Sequence, residues 1–129
     1  MEKNFLLNSK KILVRVNFEW YSARGVYLLS GYGEVDSVEY LVGAGSVYAW
    51  GVERDNAGRI TRKIENLGTD TIIWDYTYDP MGRLATVFKD GSLVEEYTYD
   101  PQGNRLTEIN TLKGISRSYT HDEEDKILY

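Results

Sequence analysis

Cysteine is absent from this chain, so it has neither a disulfide framework nor a thiolate metal site. Its one histidine has no second histidine with which to complete a zinc site. Positive charge is not in excess: 20 acidic against 15 basic residues leave a net charge of -5. That argues against nucleic acid as a partner, because phosphate binding needs a basic face. No stretch approaches the length of a membrane span, and no membrane partner or cofactor is expected. The apolar run within residues 1–11 is too short for a signal peptide, so the default placement is cytoplasmic. The 129 residues are enough for a single domain with a hydrophobic core.

Tyrosine, by contrast, is abundant: there are 11, with 3 tryptophans and 3 phenylalanines, and 12 glycines to supply turns. Aromatic and β-branched residues favour pleated, half-buried surfaces, so the balance points to an all-β fold. One short pattern recurs in the second half. It is clearest in Tyr76-Thr77-Tyr78-Asp79-Pro80-Met81-Gly82-Arg83-Leu84 and in Tyr97-Thr98-Tyr99-Asp100-Pro101-Gln102-Gly103-Asn104-Arg105-Leu106. A weaker copy runs from Val52 to Ile60 with Asp55 and Gly58, and a fourth begins at Tyr119-Thr120-His121-Asp122. The shared aspartates at 55, 79, 100 and 122 lie 24, 21 and 22 residues apart, and such a period marks a repeat architecture.

Each copy predicts a strand, a turn and a returning strand. Aromatics at every second residue, as in Trp74, Tyr76 and Tyr78, place their rings on one strand face. Asp at the first position, Pro at the second and Gly at the fourth are the preferences of a type I turn. The carboxylate accepts a backbone N–H two residues on, and the glycine takes the positive φ of a following bulge. Both prolines, Pro80 and Pro101, occupy this slot. Asp90-Gly91 is a strong hairpin signal, and Asn66–Thr69 and Thr111–Gly114 hold equivalent places.

Residues 1–45 carry the pattern less clearly and read as a divergent cap on repeats that span 46–129. Strands are expected at Lys11–Trp20, Val26–Leu29 and Val35–Val42, with a turn at Ser22–Gly25 and breaks at Gly31–Gly33 and Gly43–Gly45. The whole predicts an antiparallel meander of hairpins forming a strongly curved sheet. Closure into a barrel or sandwich by the N-terminal strands stands as an open alternative.

These units resemble YD repeats, also called Rhs repeats, over roughly residues 52–122. The resemblance implies kinship with bacterial Rhs and polymorphic toxins, toxin-complex subunits and teneurins, in which long runs of the repeat form a spiralling β-sheet closing into a hollow shell. It implies a scaffold or container role, and export routes that need no signal. Three and a half units are too few to enclose a cargo, so the chain reads as a fragment or a small stand-alone relative. The shell proteins also carry a self-cleavage site that uses aspartates. Asp79-Pro80 and Asp100-Pro101 are followed by ordinary repeat, so no protease activity is carried over.

Two readings attach to the aromatics. Stacked cross-strand rings hold hairpins together, each pair contributing about 0.5–1 kcal/mol. Alternatively Trp50, Trp74, Tyr76, Tyr78, Tyr97 and Tyr99 form a platform for a protein partner or a glycan. The four aspartates, one per hairpin, read as turn residues with Gly58, Gly82 and Gly103 rather than as a catalytic pair or a calcium cage. His121-Asp122-Glu123-Glu124-Asp125 reads as a solvated turn. Arg59, Arg83 and Arg105 read as a surface stripe pairing with acids such as Glu95 and Glu96. The function expected is a non-catalytic structural or protein-interaction module that associates with a partner or with itself through an open sheet edge. A carbohydrate-binding module, and then an immunity-type inhibitor or small enzyme, are the alternatives.

Overall fold

The computed structural model describes residues 5–8, 11–17, 23–30, 32–121 and 127–128. All thirteen of its regular elements are strands: β1 (Phe5–Asn8), β2 (Lys11–Asn17), β3 (Ala23–Ser30), β4 (Val35–Val42), β5 (Gly45–Arg54), β6 (Ile60–Leu67), β7 (Asp70–Tyr78), β8 (Leu84–Lys89), β9 (Ser92–Tyr99), β10 (Arg105–Asn110), β11 (Ile115–Ser118), β12 (Thr120–His121) and β13 (Ile127–Leu128). The chain forms two compact units, Met1–Ile73 and Trp74–Tyr129.

In the first unit β1 to β6 follow in sequence order, each antiparallel to the next. In the second, β7 to β11 do the same, and β12 and β13 form a separate two-stranded pair. This is the expected meander. Among the described residues no pairing joins the first strand of either unit to its last, so neither closes into a barrel.

The register reveals four copies of one turn, and a fifth pairing of the same span. The pairs Leu29–Val35, Arg54–Ile60, Tyr78–Leu84, Tyr99–Arg105 and His121–Ile127 each enclose five residues. In the first four, the register shifts one step before the turn, leaving Asp36, Thr61, Ala85 and Leu106 unmatched. An extra residue at the same place in successive hairpins bends and twists each in the same sense. The fourth copy anticipated from the sequence therefore does return, through Ile127 and Leu128; Asp122 and the acids up to Asp125 lie outside the described residues.

One expectation for the N-terminal third needs correction. Ala23–Gly25 is not a turn but the start of β3, paired with Tyr40–Val42. Gly25 gives the Tyr27 ring room: a Cβ there would stand 3.1 Å from its Cε2, tighter than most such contacts. The break expected at Gly43–Gly45 is present. Gly43 and Ala44 are the two-residue turn between β4 and β5, with Gly43 at φ +61°. The last residues of the Lys11–Trp20 strand lie outside the described residues.

The hydrophobic core is smaller than the length suggests. Among the described residues the buried apolar side chains are Val38, Val87 and Val94. A one-layer sheet has no second layer against which to bury a face, so stability rests on the ladders and on side chains lying across the sheet.

Candidate interaction surface

The turn shows how local chemistry sets the scaffold. In Asp79–Arg83, the Gly82 N–H donates to the Asp79 carbonyl at 2.9 Å and the Asp79 N–H to the Arg83 carbonyl at 2.8 Å. Oδ1 of Asp79 accepts from the N–H groups of Met81 and Arg83, both at 2.9 Å, and Oδ2 accepts from Arg83 Nε at 2.6 Å. Gly82 sits at φ +81°, where a Cβ is disfavoured. Asp55–Arg59 repeats every one of these bonds. Asp100–Asn104 repeats the frame with Asn104 in place of the arginine: its Nδ2 donates to Asp100 Oδ2 at 3.0 Å.

Partial burial alone would raise the three aspartates. The hydrogen bonds from the turn outweigh it and hold Asp55, Asp79 and Asp100 below the ordinary 3.8. Their carboxylates are thus taken up within their own turns.

A further copy escaped sequence reading. Ser30 plays the part of the aspartate: its Oγ accepts from the N–H groups of Tyr32 and Glu34, and its own N–H donates to the Glu34 carbonyl at 2.7 Å. Gly33 takes φ +83°. Glu34 stands where Arg59 and Arg83 stand, and Arg54 from the next turn approaches it at 3.5 Å and Asp36 at 3.4 Å. The signal available in the sequence was Ser–x–x–Gly between the two apolar-rich strands, without the aspartate that made the other copies visible.

The register places Trp50 on the face of β5 that carries Tyr48, and Trp74, Tyr76 and Tyr78 on one face of β7. Tyr97 and Tyr99 lie on the corresponding face of β9, and all six predicted ring positions are half-buried. Cations cover four of these rings: Lys63 over Trp50 at 5.7 Å, Lys89 over Trp74 at 5.4 Å, Arg83 over Tyr99 at 4.6 Å and Arg105 over Tyr97 at 4.6 Å. In the first unit Tyr27, Tyr40 and Tyr48 form a row, edge-on at 6.4 Å and then stacked at 6.1 Å. The hydrogen bond to Tyr40, then burial, then the charge of Tyr40 raise the Tyr27 phenol above its ordinary 10.0.

Phenol hydroxyls of the second unit bond to the same sheet. Tyr99 donates to the Leu84 carbonyl at 2.8 Å, Tyr97 to Glu95 Oε2 at 2.7 Å, and Tyr119 to Glu108 Oε2 at 2.7 Å. Asn110, 2% exposed, donates to Glu95 Oε1 at 2.8 Å and accepts from the Lys113 N–H at 3.0 Å. Burial first, then the bond to Glu95 and the charges of Glu95 and Glu108, push the Tyr97 phenol up to about 12. The bond from Tyr119 is the main cause holding the Glu108 carboxyl down.

The arginines do not form the surface stripe expected of them. Arg59 and Arg83 close their own turns. Arg105, at the position of Leu84 rather than of Arg83, lies over Tyr97 and reaches Glu108 at 3.5 Å. Glu95 is taken by Tyr97 and Asn110.

The opposite face is more open. In the second unit it carries the hydroxyl pairs Thr77–Thr86 and Thr98–Thr107. In the first unit it holds a shallow hollow of about 400 Å³ floored by Ser37, Ala49 and Gly51 between Leu28 and Ile64. At the end of its sheet β11 has β10 as its strand partner. A sequence model described as Teneurin YD-shell matches residues 23–129, which includes the Ser30 turn. No curated protein matches the chain.

Proposed function

The chain belongs to the Teneurin YD-shell family, and we propose that it acts as a non-catalytic structural and protein-interaction module, a segment of wall of the kind that encloses a toxin. The observation that carries this reading is the repetition of one turn, with one register and one set of hydrogen bonds, through successive hairpins. Aspartates committed to turns and phenols committed to their own sheet supply rigidity. The outer edge of β11 offers backbone groups to another strand, from a second copy or from a protein partner.

Light scattering across a concentration series tests the edge. Mass that rises with concentration supports assembly; a constant monomer mass removes self-association. The carbohydrate alternative predicts glycan-array binding that Trp74→Ala abolishes. Turnover of any substrate that His121→Ala abolishes would replace the non-catalytic reading.

A further inference from the structure

The two faces of the second unit differ in charge. Lys89 and Arg105 lie over rings, and Arg117 faces Glu108 across the β10–β11 ladder on the same side. Strand alternation puts these cations on that side, where they lie against ring faces and near Glu108. On the opposite face the register aligns Thr77, Thr86, Glu96, Ile109 and Ser116 in one row across five strands. Thr98, Thr107 and Ser118 form a second row, and Asp75, Phe88 and Leu93 a third. Among the described residues these rows hold two acids and no lysine or arginine. The unit as a whole carries eleven acidic against six basic residues.

This face also exposes apolar surface: Leu93 is 45% and Ile109 40% exposed. Glu96 is exposed and directly opposite Ile109, about 5 Å away between Cβ atoms. We propose that the threonine-bearing face of β7–β11 is a docking surface for a protein segment that presents lysine or arginine beside aliphatic side chains. Charge complementarity selects that occupant: an aliphatic side chain covers Ile109 and Leu93 while its cationic neighbour meets Glu96, and the threonine hydroxyls keep the remainder wettable. The inference rests on the chain's being an interaction module, but not on assembly through the β11 edge, so the light-scattering result leaves it standing.

The test uses the full chain and a synthetic peptide of alternating leucine and lysine, with a leucine–glutamate peptide as its counterpart, measured by calorimetry. The lysine peptide is expected to bind and the glutamate peptide not to. Glu96→Gln and Ile109→Ser should each weaken binding about fivefold, the size of one partly screened charge or one exposed apolar contact. The double change Glu123→Gln with Glu124→Gln should leave it unaltered. Both face positions are exposed, and unchanged melting of each variant checks that the fold is intact. Absent binding, a loss equal to or smaller than that from the double change, or indifference to both face variants would overturn the proposal.

Discussion

Arg83 and Asp100 belong to successive turns, yet Nη1 of Arg83 donates to the Asp100 carbonyl at 2.9 Å. The same guanidinium closes its own turn through Asp79 and lies 4.6 Å above the ring of Tyr99. One planar fork therefore ties two successive repeats together. Lysine cannot reproduce the fork or the stacking. Arg83→Ala should cost about 1–2 kcal/mol in urea unfolding, and Arg83→Lys should recover little of it. Arg117→Ala, exposed and outside any turn, should stay within about 0.5 kcal/mol.

Acid should unfold the chain through its turns. The folded state holds Asp55, Asp79 and Asp100 below their ordinary 3.8, so their contribution is present above that value and is lost as pH falls through the lowered range. Thermal melts between pH 6 and pH 2 should fall mainly below the usual aspartate range. Asp79→Asn should lower the neutral melting point by several degrees and flatten the acid limb; Asp79→Ala should lower it further, since the N–H groups of Met81 and Arg83 then lose their acceptor.

Base should act through Tyr97. Its folded pKa, about 12, lies above the ordinary 10.0, so the stabilisation is complete below 10 and disappears as pH rises towards 12. Phenolate absorbance should show, besides the raised Tyr27, a component titrating towards 12 that Tyr97→Phe removes. That variant should also lose less stability than wild type between pH 10 and pH 12. A Tyr97 that ionises at the ordinary 10.0 would refute the assignment.

Sequence reading reached the strands and turns where each was encoded by adjacent residues. Asp79, Pro80 and Gly82 announce their turn because each supplies one local need, and the alternation of Tyr97 with Tyr99 announces a strand. It placed a break at Gly31–Gly33 but did not read it as a copy of the turn, since serine carries one acceptor oxygen where aspartate carries two, and Glu34 reverses the expected charge. It placed Arg105 with Arg83, although the position is set by counting from the glycine and not by residue type. Gly25 read as a turn because the pairing of Ala23–Gly25 with Tyr40–Val42 is a tertiary fact. The partners of the phenols were equally hidden: Glu95 and Asn110 meet only through the register of β9 with β10.

Asn110 tests whether that polar cluster stabilises the second unit. It is 2% exposed, and its amide serves Glu95 on one side and the Lys113 N–H on the other. Asn110→Ala leaves a backbone donor without its acceptor and a half-buried carboxylate with one donor fewer, at a cost of about 2–3 kcal/mol. Asn110→Leu, which restores volume but no hydrogen bond, should recover only part of this. Asn110→Asp is the sharper probe, because it sets a second carboxylate against Glu95 in a site with little water. Like charges at that distance cannot both ionise cheaply, so the shared proton is bound more tightly in the folded state. The variant should therefore melt lowest at neutral pH and regain stability as pH falls towards 5, above the range where the turns begin to fail. A pH-independent deficit would mean that Asn110 contributes only packing, and that the tyrosine–glutamate bonds hold their geometry without it.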